Sequence, residues 1–424
     1  MSSAFHIHIG GAGVRIGDML WKLYEKEYNE ATQNNYIYEE VDGNHYPLAL
    51  FFDTDDGMIH EVQRNKSIKY KKHSFLHGKE EALTYARGKY TVGREVTEQA
   101  IDCIRKQIET MSRLDEFVIT CSISGGTGSG CLSFLSQVLD QKFENKSKQN
   151  GFIIFPSSEM SNNVVGPYNA VFSLYTMIDD LQSVTMFDNQ SMYNVIDYQL
   201  ELDFVDYQHL NNLVAQVISS YTGLRRFNNC DNSKFLSNLC PYPRVKYLIP
   251  SYGKMTLIND YARTELQETQ FIQYLTKKKC QLYQCPINPY LITSALLFRQ
   301  KQLNPSFGQY DLTLNNLDHF FGQSSNIFQC AASNYQVLPE FAQMKLTGSY
   351  FSNDASIASR FKQLRESFCK IRQKRAFHQW YNGEGLEDCE FQEAHDYLQS
   401  LEGDYNSVRS FDNSQIENSN NYEL

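Results

Sequence analysis

At 424 residues the chain is long enough for two or three domains with sizeable cores, and its apolar fraction of 42% is ordinary for a globular protein. A formal charge of -10 argues against a dominant nucleic-acid surface, which would be net basic. Ten scattered cysteines without a C-x-x-C pair read as reduced thiols, and neither an 18-residue apolar stretch nor a signal-peptide start occurs, so a cytoplasmic protein with no membrane span is expected.

In chain order, "FHIHI" (Phe5 to Ile9) alternates and meets the glycine loop "GGAGVRIG", after which Ile16, Leu20, Leu23 and Tyr24 share one helical face. A second strand, "LALFF", ends at Asp53. Phe117 to Ile123 is a third apolar run, followed by the glycine stretch within "SISGGTGSGC" and by Leu132, Leu135, Val138 and Leu139 at helical spacing; "FIIF" then precedes Pro156. This alternation predicts an α/β fold, a parallel sheet with helices on both faces and a ligand beyond the strand C-termini. From Tyr207 to Tyr221, Leu210, Leu213, Val214, Val217 and Ile218 form the stripe of a central helix linking two domains. The middle section, Gly223 to Asn353, mixes strand candidates "RVKYLIP" and "ITSALLF" with polar loops. Phe361, Leu364, Phe368 and Ile371, then Phe391, Ala394, Leu398, Leu401 and Tyr405, predict a helical hairpin across the turn "NGEG". Its charged outer faces can also dock partners. Beyond Tyr405 the Asn/Ser-rich tail is expected to be disordered.

The stretch Ser122 to Cys131 joins a strand to a helix N-terminus, where unpaired N–H groups face outward and glycine lets an anion approach the backbone. No Lys-Ser/Thr follows its last glycine, so a phosphate there would be held by backbone and by the hydroxyls of Thr127 and Ser129. "GGAGVRIG" has its third glycine one residue late for a dinucleotide fingerprint, which leaves a nicotinamide or flavin oxidoreductase, or a plain strand-helix turn, as competing readings. Two glycine loops favour a ligand with several phosphates cradled from two sides. Asp53, Asp55 and Asp56 suit Mg²⁺ accompanying such phosphates, or a solvated turn. His6 and His8 share one side of a strand with no third ligand and read as packing residues rather than a zinc site. The basic run Arg64 to His73 reads as an exposed loop, with an acidic partner as the alternative.

These residues resemble the tubulin family, in its α form. The family signature Gly-Gly-Gly-Thr-Gly-Ser-Gly keeps six of seven positions, Ser124 replacing the first glycine. The likeness continues through "HIGGAGVRIG", "YARGKYTVG", "VVGPYN", "CPYPRV" and "KRAFHQWYNGEGLEDCEFQEA". It implies a Rossmann-like GTP-binding domain over residues 1–188, a central helix and α+β intermediate domain over 189–354, and C-terminal helices with a short tail over 355–424. It also implies pairing with β-tubulin in microtubules of the cytoskeleton, and microtubule-associated proteins at the C-terminal helices.

Carried onto this chain, the family's phosphate loops fall on Gly10, Gly11 and Ala12 and on Ser122, Gly125, Gly126, Thr127 and Gly128. The Mg²⁺-holding acid falls on Asp55, and the guanine-reading positions on Asn189, Tyr207 and Asn211. The departures matter as much. Gly11 and Arg15 stand where the family has glutamines, "ALT" (Ala82 to Thr84) shortens an asparagine loop, Gly166 replaces a glutamate near the ribose, and Asn162 replaces a threonine. Each missing hydrogen bond costs about 1 kcal/mol. The glutamate that helps activate water at the neighbouring β subunit's GTP is matched by Lys234, which cannot accept a proton while charged, so weak activation of GTP hydrolysis is expected. Asp231 could substitute only if the shortened loop moves it. The tail holds few carboxylates, so partners that read an acidic tail should bind less well. The alternative class is a non-polymerising protein of the same fold that sequesters or caps β-tubulin.

Overall fold

The computed structural model describes residues 3–64, 67–143, 147–157, 163–200, 204–228, 230, 232–254, 268–287, 290–301, 325–339, 341 and 346–420. The first half runs β1 (Ser3–Ile9), α1 (Gly10–Glu27), a hairpin of β2 (Tyr38–Val41) and β3 (Asn44–Pro47), β4 (Ala49–Asp53), α2 (Gly57–Arg64), β5 (Phe75–His77), α3 (Tyr85–Tyr90) and α4 (Val92–Ile108). It continues with β6 (Leu114–Ser122), α5 (Leu132–Phe143), β7 (Lys148–Phe155), α6 (Gly166–Asp180), β8 (Ser183–Asp188) and α7 (Asn189–Leu200). The central helix α8 (Tyr207–Asn228) leads to α9 (Asn232–Leu239), β9 (Tyr247–Lys254), α10 (Glu268–Leu275), β10 (Leu291–Gln300), β11 (Ser325–Ala331) and β12 (Leu346–Asp354). Three helices follow: α11 (Ala358–Gln373), α12 (His378–Asn382) and α13 (Asp388–Asn420).

One ten-stranded sheet has the order β11-β10-β12-β9-β8-β7-β6-β1-β4-β5. Strands β5 to β8 are parallel through β4, β1, β6 and β7, and β9 joins β8 in the same sense. Only β12 runs against its neighbours β9 and β10. The strand order reverses at β1, between β4 and β6, and a crevice opens beyond the C-terminal ends of strands at such a point.

The alternation of β1 distributes its side chains to two cores. Phe5, Ile7 and Ile9 join Phe117, Ile119, α4, α5, α6 and the closing helices on one face. Ala4 joins α1 and α8 on the other, through Leu20, Tyr24, Leu213, Val214 and Val217. Helices therefore cover both faces, and α8 is buried along most of its length. A smaller cluster packs α10 on β10 and β12 through Phe271, Leu275, Phe298 and Tyr350. His6 and His8 are buried among Trp21, Tyr24 and Phe51, with no metal-ligand set of three or more around them among the described residues. All ten cysteines are free thiols. No described helix is long and apolar enough to cross a membrane.

Two expectations need correction. The hairpin stripe packs as read, with Phe361, Phe368, Phe391, Ala394, Leu398, Leu401 and Tyr405 buried, but α12 occupies the connection before the glycine turn. The chain beyond Tyr405 is helical through Asn420 rather than disordered. A helix already anchored by Leu401, Tyr405 and Val408 extends at low cost, because nucleation has been met and each further residue adds a hydrogen bond.

Candidate phosphate-binding cleft and adjoining groove

Three strand ends build the crevice. Ile9 is extended (φ -111°, ψ 126°) and Gly10 turns the chain at φ +70° straight into α1, a conformation that needs no Cβ. Beyond β4, Thr54 Oγ1 lies 2.6 Å from Thr127 Oγ1 and accepts from the Ala82 N–H at 3.0 Å. Beyond β6, the chain bends at Ile123 to Gly125, and Thr127 to Cys131 forms a π-helical turn that continues into α5. The helical path thus starts inside the glycine stretch, earlier than the apolar spacing from Leu132 implies.

The result is a cleft of ≈ 380 Å³ lined by Ile9, Gly10, Gly11, Ala12, Asp53, Asp55, Met58, Glu81, Ala82, Leu83, Ser122, Gly125, Gly126, Thr127, Gly128 and Asn163. An added Cβ at Gly125 would meet no protein atom within 4 Å, whereas one at Gly126 would sit 2.5 Å from Ala82 O, Leu83 C and Thr84 N. One glycine leaves room for a ligand and the next leaves room for the neighbouring loop. The starts of α1 and of the π turn both border this space, and helix starts carry the unpaired N–H groups that receive phosphate.

Gly10, Gly11, Ala12, Ser122, Gly125, Gly126, Thr127 and Gly128 meet here, as does Asp55. Ser129 does not serve: its buried hydroxyl donates to Gly125 O at 2.6 Å, because the π turn rotates it inward. Asp53 Oδ1 accepts from the Thr54 N–H at 2.7 Å, and burial pushes its pKa up to about 6. Asp55 is exposed, its Oδ2 accepting from the Gly57 N–H at 3.2 Å. Asp56 stands outside the lining, 3.7 Å from His60. Asn189 and Tyr207 begin α7 and α8, and Asn211 lies one turn after Tyr207 on the same face; none of the three lines the cleft. Arg15 lies one turn beyond Gly11 on α1 and contacts the lining residue Met58. Asn162 and Asp231 fall outside the described residues.

Two residues escaped the sequence reading. Asn163 lines the cleft and donates to Ser124 O at 2.8 Å. Asn169, fully buried, donates to Leu83 O at 3.1 Å and Ser124 O at 3.0 Å, and its Oδ1 accepts from the Tyr85 N–H and Tyr381 O–H at 2.7 Å each. It ties the "ALT" loop, the glycine loop and α12 together. Its place in "VVGPYN" was the available signal.

Sharing Glu81, Leu83 and Asn163 with the cleft is a groove of ≈ 910 Å³, lined also by Thr84, Arg87, Val164, Val165, Phe377, Trp380 and Glu384. Leu83, Val164 and Trp380 are 62%, 64% and 54% exposed. Large apolar side chains clustered at a polar-rimmed groove mark an interaction surface. Elsewhere, Lys234 is exposed on α9, whose Asn232 donates to the buried Glu116 at 2.9 Å.

A family model described as "Tubulin/FtsZ family, GTPase domain" matches residues 3–197. Over nearly their whole lengths, the chain is similar to "Tubulin alpha chain, nucleomorph" of Guillardia theta, at 32% identity over 99% of this chain and 100% of that protein. It is likewise similar to "Tubulin alpha-2 chain" of Eleusine indica, at 31% identity over 96% of this chain and 97% of that one.

Proposed function

The chain belongs to the tubulin family as a divergent α-tubulin-like, GTP-binding member, and from that premise we propose that it pairs with β-tubulin and enters microtubule-type polymers in the cytoplasm. The observation that carries the pairing is the apolar groove sharing a wall with the phosphate cleft. A partner seated on Leu83, Val164 and Trp380 would close the cleft's mouth and bury both at once. The outer faces of α11 and α13 would dock microtubule-associated proteins.

In this reading the cleft takes the GTP phosphates on the backbone of Gly10 to Ala12 and Gly125 to Gly128, with Thr127 beside them. Asn189, Tyr207 and Asn211 take the guanine, Asn162 stands at its edge, and Arg15 stands beside the cleft against Met58. Asp55, with Asp53 behind it, would hold Mg²⁺, which needs only one or two carboxylates when phosphates complete its shell and would neutralise phosphate charge. Lys234 faces outward without a carboxylate's ability to accept a proton, so hydrolysis at the partner's GTP would be weakly activated.

Co-expression with β-tubulin tests this. A 1:1 complex that elongates, weakened at least roughly tenfold by Trp380→Ala as a buried interface tryptophan would be, is expected. Failure to pair would overturn the proposal, and a complex that never elongates would support the sequestering or capping alternative.

A further inference from the structure

The cleft that receives a polyphosphate contains three carboxylates, Asp53, Asp55 and Glu81, and no lysine or arginine. Some cation must offset this charge. One basic side chain touches its lining from α1: Arg15, bonded to Met58, four residues after Gly11 and therefore on the same face of the helix. Helical side chains lean toward the N-terminus, which aims Arg15 back over Gly11. Gly11 has no side chain to stand between them; an added Cβ there would meet Met58 Cγ at 3.5 Å. The Arg15 guanidinium is exposed, its Nε donating to Met58 Sδ at 3.0 Å, and among the described residues it forms no ion pair. A thioether is a weak acceptor, easily exchanged for a phosphate oxygen.

Building on the GTP-binding reading, we infer that Arg15 is a built-in counter-charge: on nucleotide binding it leaves Met58 for a phosphate oxygen, so nucleotide is retained with little dependence on Mg²⁺. The bare backbone at Gly11 and the cation at Arg15 are then one device, since the first leaves open the path the second uses. Asp55, exposed and engaged with the Gly57 N–H, is left with a supporting part.

The test strips divalent cations from the purified complex with a chelator and follows release of bound GTP and GDP by filtration and chromatography. The native protein is expected to keep its nucleotide in chelator. Arg15→Gln should release it roughly tenfold to a hundredfold faster in chelator, the range a lost charge-assisted hydrogen bond implies, and should be rescued by excess Mg²⁺ and by Arg15→Lys. If native protein and Arg15→Gln lose nucleotide equally fast in chelator, Arg15 has no such role although the GTP reading stands. If the native protein holds no guanine nucleotide even in Mg²⁺, both fall.

Discussion

Substituting alanine at Gly125 and at Gly126 separates ligand space from packing space within two adjacent positions. At Gly126 the new methyl would lie 2.5 Å from three backbone atoms of residues 82–84, about 0.9 Å inside the 3.4 Å at which ordinary contact begins. That segment cannot give way freely, since the Ala82 N–H is held by Thr54 and Leu83 O by Asn169. Overpacking of this kind costs about 1–3 kcal/mol, and the pinned neighbour argues for the upper end. At Gly125 nothing in the protein lies within 4 Å and the backbone is not left-handed, so stability should change by less than about 0.5 kcal/mol. There the methyl intrudes where a phosphate must approach, and nucleotide affinity should fall roughly tenfold for one lost backbone hydrogen bond to a charged group. Urea denaturation followed by circular dichroism reads the first effect, and nucleotide titration of the folded protein reads the second. Gly126→Ala as stable as the native chain, together with Gly125→Ala binding nucleotide normally, would refute the assignment of the cleft.

Other consequences are independent. Glu27 is buried between Arg226 at 2.8 Å and Arg299 at 2.6 Å; although burial alone would raise its pKa, the two guanidiniums hold it below the ordinary range, and Glu27→Gln should cost about 3–5 kcal/mol in denaturant experiments by leaving both cations without an anion. His8 accepts from Trp21 Nε1–H at Nε2 (3.1 Å), so Nδ1–H donates to Thr120 Oγ1, and burial lowers its pKa to about 3. Above the unfolded pKa of about 6.5 that neutral ring adds no penalty; as pH falls toward 3 the unfolded chain takes up the proton first, and stability should drop by up to about 1.4 kcal/mol per pH unit. Comparing urea midpoints at pH 7 and pH 5 for native protein and His8→Gln should show the steeper slope only in the native chain. Lys234→Glu, on an exposed face of α9, should leave folding unchanged and raise GTP turnover in co-polymer with β-tubulin, as measured by phosphate release.

The glycine wall of the cleft was legible because glycines cluster at strand ends, and those residues do converge on one space. What was hidden depends on contacts distant in sequence. Ser129 looked available until the π turn directed its hydroxyl to Gly125. The motif "VVGPYN" marks Asn169, but not a role that spans Leu83, Ser124 and Tyr381. The Glu27–Arg226–Arg299 cluster joins α1, α8 and β10, segments whose proximity follows from topology rather than from any pattern within them. Likewise, strand signals on either side of α8 do not reveal that β8 and β9 pair and make one sheet. Composition misled at the C-terminus, where Asn and Ser predict disorder but a packed helix upstream carries the backbone onward to Asn420.

The most direct test purifies the chain with β-tubulin and quantifies released nucleotide by chromatography. One guanine nucleotide per chain, beyond that carried by β-tubulin, is the predicted result; a chain that contributes none would contradict the account of the cleft.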